Sequence, residues 1–279
     1  MNFKTADTDM LHGPLTKKIL LFTLPIALSS ILQQLFNAAD TAVVGYFGNK
    51  DALAAVGNNT EIIALIVTVS SGLSVGANIL VAGLIGKGRR EEIPFAVRTS
   101  VVMAVIIGIS GMISGQFAAE PLLRLIQAPE NILRDATLYL RIYFLGMPAN
   151  MLYNFGAALL RASGDTQRPL YYLFASGVVN VILNLVFVIY FHMDVAGVAL
   201  ATVISQCLSA AFVVFFLTKK SELKLRFLHK NEIPECTGHA KNILSLGAAG
   251  FIMQLTNSLV TICCNNVLSV TGGDIYISV

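Results

Sequence analysis

The sequence predicts an all-α integral membrane protein, a six-helix transmembrane lobe followed by a seventh helix. Three observations predict it. Seven apolar runs of helix length recur along the 279 residues. The composition is 55% hydrophobic and 13% charged, with a mean hydropathy of +0.72, where soluble domains carry about 25% charged residues. The basic residues are sorted by loop. A soluble core has no use for this much apolar surface, whereas a bilayer does. The runs are unbroken rather than alternating, which favours helices over a barrel.

The predicted spans cover 19–44, 53–81, 95–118, 135–160, 170–191, 195–217 and 242–268, each near or above the ~20 residues a bilayer needs. The first follows Lys17 and Lys18. It is longer than a signal-peptide core and lacks a small-residue cleavage site, so it is expected to stay in the membrane. The second carries "SSGLSVGAN", whose small residues permit close helix packing. A tight basic turn, "GKGRREEIP", leads to the third. The fourth contains Gly146, Met147 and Pro148, which soften a helix. The turn "RASGDTQRP" leads to the fifth, with Asp165 expected as a solvated cap or ion-pair partner of Arg161 and Arg168. A short turn with His192 and Asp194 precedes the sixth. The longest polar stretch, "TKKSELKLRFLHKNEIPECTGHAKN", separates the sixth and seventh spans and carries a helix-breaking Pro234.

With the N-terminus in the cytoplasm, the inside segments hold 15 of the 19 lysines and arginines and the outside segments hold 4, namely Lys50, Arg124, Arg134 and Arg141. Positive charge favours the cytoplasmic side. The expected organisation is therefore a cytoplasmic tail at 1–18, a lobe at 19–220, a cytoplasmic linker at 221–241, and the first helix of a second lobe at 242–279. A weak internal repeat supports two lobes. A shift of 220 residues aligns Leu24, Gln34, Leu35, Asn37 and Thr41 with Leu244, Gln254, Leu255, Asn257 and Thr261. Parallel repeats of this kind occur in transporters. The second lobe has barely begun at "GGDIYISV", so the chain is expected to be a truncated one.

Polar residues inside the spans are the candidates for function. Asp40 is a carboxylate in the first span, at a depth where charge costs at least ~2.5–3.5 kcal/mol and usually faces a bundle interior or a watery cavity. Gln34, Asn37 and Asp40 share one helical face. Pro25 lies N-terminal to them and removes a backbone hydrogen bond, so a bend is expected there. Asn180 and Asn184 form an i,i+4 pair, Asn154 lies in the fourth span, and Thr202, Ser205 and Gln206 lie in the sixth. Buried amides and hydroxyls often tie helices together, and that is the expected role of Ser205 and Gln206. Glu61 is either a second buried acid or an interfacial carboxylate.

Other chemistries lack their signatures. The sequence holds no G-x-x-x-x-G-K-[ST] phosphate loop, no G-x-S-x-G elbow and no H-E-x-x-H pair. Cys207, Cys236, Cys263 and Cys264 form no C-x-x-C pair and read as small buried hydrophobes. No basic-aromatic patch points to nucleic acid.

"LPIALSSILQQLFNAADTAVVGYFGNKDALAAVG", "RASGDTQRPLYY" and "NVILNLVFVIYFHMDVAGVALATVISQ" resemble the multidrug and toxic compound extrusion (MATE) transporters. The resemblance covers essentially the whole chain. It implies half of a twelve-helix transporter, two six-helix lobes related by a pseudo-two-fold along the membrane normal. It further implies export of small amphiphilic cationic drugs across the plasma membrane by alternating access, driven by inward proton or sodium flow. By resemblance, the ion-coupling residues are Asp40, Asn154, Asn180, Asn184 and Thr202, with Pro25 as the gating kink and Gln34 and Asn37 facing the cavity. Family members often carry an acid at the position of Asn184, so this chain keeps an oxygen ligand there and loses a charge. Weaker sodium binding or coupling through Asp40 protonation is expected. No cofactor is implied, no metal other than sodium near Asp40, no enzymatic activity, and a monomer. The alternatives are a lipid-linked oligosaccharide flippase of the same superfamily, which would centre basic residues in its cavity, and a seven-helix receptor-like protein.

Overall fold

A computed structural model of the chain describes residues 15–48, 50–126, 128–219 and 233–272. It is helical throughout these residues. The elements in chain order are α1 (Leu15–Phe47), α2 (Lys50–Gly86), α3 (Ile93–Leu125), α4 (Glu130–Leu145), α5 (Met147–Ala162), α6 (Gln167–Leu185), α7 (Asp194–Lys219) and α8 (Ile233–Gly272), with a π-helical segment, Val186–Tyr190, continuing α6. Among the described residues, five helices are long and apolar enough to cross a bilayer: Thr16–Phe47, Asp51–Gly86, Ile93–Leu125, Gln167–Tyr190 and Asp194–Lys219.

The predicted fourth span is not one helix. It is α4 and α5, 16 residues each. Each is about 24 Å long at 1.5 Å per residue, short of the ~30 Å hydrocarbon core. Pro148 has no N–H to offer the Phe144 carbonyl, and Gly146 closes α4 with its own N–H on Tyr143 O at 2.9 Å. Helices α2, α3 and α7 run alongside both α4 and α5, so the pair follows one path through the bundle with a break in it.

Two further expectations change. Pro234 does not break a helix: it lies in the first turn of α8, where its missing N–H is no loss. Asp165 is a cap, but a buried one. It accepts from the Arg168 N–H at 3.1 Å and pairs with the Arg168 guanidinium, which also lies 4.2 Å from the Phe216 ring centre. The turn before α7 places His192 at φ 51° and Asp194 at φ 38°, a left-handed region that aspartate tolerates better than most residues. The side chains of Glu61, Gln254, Asn257 and Thr261 lie outside the described residues.

The core is built on α5, of whose sixteen residues twelve are buried. Phe155, Leu159 and Leu160 are almost wholly enclosed. Amides of α2 cross-link the neighbours: the buried Asn59 donates to Ala136 O at 3.1 Å, and the half-buried Asn78 donates to Ala158 O at 2.8 Å. The small residues of α2 admit α8 to backbone contact. A Cβ on Gly76 would lie 2.1 Å from Ile243 O. Helix α1 is different. Among its described side chains only Pro25, Asp40, Val43 and Val44 are buried, and the helix runs unbroken through Pro25.

Candidate functional site

The centre of the site is Asp40, 6% exposed although few of its helix's described side chains are buried. Its burial comes from α6 and α7. Asn180 and Asn184 lie one turn apart on α6, so both amides face α1 together. Thr202 lies two turns into α7. The Asn184 Nδ2 donates to Asp40 Oδ1 and also to Asn180 Oδ1 at 3.3 Å. The Thr202 hydroxyl lies 3.3 Å from Asp40 Oδ2 and 3.0 Å from the Val198 carbonyl. It has one proton for those two acceptors. Asn180 Nδ2 donates to Thr202 Oγ1 at 3.4 Å. Four side chains from three helices thus close a polar ring around one carboxylate.

The ring has one open valence. Asn184 Oδ1 is buried and without a partner. A buried acceptor without a donor costs about 1–3 kcal/mol. A turn of the Asn184 amide about its Cγ would exchange its donor for this acceptor. The side chains would then offer a carboxylate, two amide oxygens and a hydroxyl, a hard-oxygen set suited to a proton or a hard cation.

Asp40, Asn180 and Thr202 stand in the wall of a cavity of about 550 Å³. Gln34 and Asn37 line it too, joined by a 3.4 Å hydrogen bond from Asn37 Nδ2 to Gln34 Oε1. Among the described residues no lysine or arginine lines this cavity, and Asp40 is its one charged side chain. Asn184 sits behind the wall, fully buried. Asn154 is not brought to Asp40. Its Nδ2 is spent on Asn150, at 2.9 Å from the backbone carbonyl and 2.8 Å from Oδ1. Pro25 is buried two turns before the cavity-lining Gln33.

Gln206 of α7 joins Tyr143 of α4 through its side chain, as expected, whereas Ser205 does not tie helices together. Both line the cavity; Ser205 Oγ bonds its own helix at Thr202 O, and Gln206 Oε1 is buried without a partner. Among the lining residues that the sequence did not single out, Tyr139, Tyr143 and Asn150 stand out. Tyr139 is buried beside Thr202 and Asp40, and Tyr143 beside Gln206. Asn150 lines the cavity with an unpartnered Nδ2. The i,i+4 spacing of Asn150 and Asn154 repeats that of Asn180 and Asn184, and is the signal that could have found it. The tyrosines carry none, because a buried tyrosine reads as core.

Comparison with known proteins places this arrangement. The MatE family model matches residues 25–186, which include α1 from Pro25 onward, α6 and the site's Asp40, Asn180 and Asn184. A relative named "Probable multidrug resistance protein YpnP", from Bacillus subtilis, is 30% identical over 211 residues, 76% of this chain and 47% of the relative. The chain spans about half the length of the curated relatives it matches. Among solved structures, one described as "MATE in the bent conformation" superimposes with a TM-score of 0.86 at 25% identity, over 98% of this chain and 61% of that one. Another, described as the outward-facing conformation of a multidrug resistance MATE transporter, has a TM-score of 0.86 at 25% identity, over 98% and 60%. A fold of six bundled crossings and a seventh helix, with a family match through the site, leaves one conclusion: the chain belongs to the MatE family of multidrug transporters, and its structure is that of the family's N-terminal lobe with the helix that follows.

Proposed function

We propose that this lobe serves a secondary active multidrug exporter, in which inward flow of a proton or sodium at Asp40 drives a small amphiphilic cation outward. The observation that carries the reading is the polar ring of Asp40, Asn180, Asn184 and Thr202 in the wall of a cavity with no basic side chain of its own among the described residues. A carboxylate is the group that a drug cation and a coupling ion can both use, at different times. With Asp40 charged, the cavity attracts a cation. With Asp40 neutralised by a proton or paired with sodium, that attraction is gone and the drug leaves. Only a ligand that prefers one state can shift the balance of states. The proposed setting is the plasma membrane, with the N-terminus in the cytoplasm, the lysine- and arginine-rich side. The proposed working unit is a monomer.

The test is ethidium efflux from cells expressing the protein, with proton and sodium gradients imposed separately, for the native sequence and Asp40→Asn. Gradient-driven efflux that disappears in the mutant is the expected result, and the gradient that works names the ion. Native-rate efflux by the mutant would sink the mechanism. Absence of efflux under both gradients, with the protein in the membrane, would favour a lipid-linked oligosaccharide flippase.

A further inference from the structure

Two contacts between α1 and α6 stand out along their packed length, one polar and one apolar. The polar one is Asp40 on Asn184. The apolar one is Phe36, one turn earlier on the same face of α1, against Gly177, one turn before Asn180 on the same face of α6. Phe36 lies directly on the Gly177 backbone. A Cβ added to Gly177 would sit 1.9 Å from Phe36 Cε2, 2.0 Å from Cζ and 2.4 Å from Cδ2. Real Cβ atoms do not approach carbon so closely, so no other residue leaves the ring where it is. Both residues line the cavity. Gly177 is itself buried within a regular stretch of α6, where glycine costs about 1 kcal/mol relative to alanine. A glycine at that position is unfavourable to the helix and useful only to what rests on it.

We infer that Gly177 is the seat of Phe36, and that this seat positions α1 so that Asp40 reaches Asn184 and Thr202. Both belong to the positioning machinery of the ion site and neither touches the ion. The inference rests on the reading of Asp40 as the coupling group. The geometry gives it force because α1 has so few other holds: between Pro25 and Asp40 none of its described side chains is buried. Lifting Phe36 from its seat moves the Asp40 carboxylate away from its partners. Filling the seat does the same. The ion site and the cavity are thereby joined by one mechanical contact, since a drug in the cavity touches the ring that holds α1 in place.

The test uses compensating substitutions and two readouts. Spin labels on Ile31→Cys and Phe174→Cys, both exposed positions, report the α1–α6 separation in membranes, with the native cysteines replaced by serine. Gly177→Ala should lengthen that distance and slow gradient-driven ethidium efflux about tenfold or more, as overpacking does to a fixed contact. Phe36→Ala combined with Gly177→Ala removes the ring that the new methyl strikes, so the mean distance and the efflux should move back toward the native values relative to Gly177→Ala, with the distance distribution as broad as in Phe36→Ala alone. A native distance in Gly177→Ala overturns the inference, and so does a double variant no closer to native than the single one. A lengthened distance with native efflux overturns it also. If Gly177→Ala is not recovered from membranes, Phe36→Ala alone decides: a broadened distance distribution supports the seat and an unchanged one overturns it. Failure of the native protein to export ethidium would count against the exporter reading, while the distance measurement would still decide whether the seat positions α1.

Discussion

Helices α1 and α5 are both apolar, and the fold uses them in opposite ways. Helix α5 buries twelve of its sixteen residues and is the axle of the bundle. Helix α1 buries only four of its described side chains and leaves Leu20, Leu24, Leu28, Ile31 and Leu35 outward. Yet, among the described residues, the one carboxylate that lines the cavity is on α1. The amides of α5 are satisfied within α5 or turned to the cavity, as with Asn154 on Asn150, while Tyr153 donates to Pro169 O of α6. On α1, Ser29, Ser30, Asn37 and Thr41 bond within the helix, but the buried Asp40 carboxylate is satisfied by reaching across to α6 and α7. A buried charge on a weakly held helix makes the position of that helix depend on the charge. On the axle, the same charge would be held in place by its packing whatever its ionisation.

The comparison breaks most sharply at Asp40. Asp40→Asn should end coupled efflux while leaving thermal stability in detergent near native, since the amide keeps most of the hydrogen-bonding shape; a large fall in Tm would mean that Asp40 is structural. Phe155→Ala, on the axle, should do the reverse. It opens a cavity in a packed centre at a cost of about 3 kcal/mol, so Tm and membrane abundance should fall while efflux per folded molecule stays within about twofold. Loss of efflux without loss of stability there would place α5 in the moving part. Thr202→Val comes next. It removes the hydroxyl that joins Asp40 to Asn180 and leaves two polar groups short of a partner, so efflux should drop about tenfold, with the apparent affinity for the coupling ion falling more than the affinity for drug. Leu28→Ala is the smallest. Its side chain faces outward, and stability should change by less than about 0.5 kcal/mol; a larger change would show that α1 rests against something other than lipid.

Much of the site is legible in the amino-acid sequence. Asp40 stands out because charge is rare at that depth, and Asn180 and Asn184 because their spacing puts two amides on one face. Asn154 is a poorer guide. It shares the polarity of the others, but its hydrogen bonds close locally on Asn150, which no pattern of single residues foretells. Tyr139 and Tyr143 are invisible for the opposite reason, being aromatic residues in an apolar run whose polar ends matter only once α7 is beside them. Span boundaries are legible unevenly too. Pro148 looks like a softening of one helix and instead divides it, while Pro234 looks like a break and instead opens a helix. The chemistry of proline is the same in both; what differs is whether a carbonyl four residues earlier is waiting for the missing N–H.

That this protein is a bundle of membrane-crossing helices with an acid at depth follows from its residues alone, because composition, run length and the cost of charge in lipid are properties of residues taken one at a time or in series. Which polar residues meet is a matter of packing in three dimensions. The convergence of residues 40, 180, 184 and 202 spans up to 162 positions of chain and depends on how α1, α6 and α7 lie against one another. So does the seating of Phe36 on Gly177, where the informative feature is an absent side chain, and an absence acquires meaning only when a neighbour fills it.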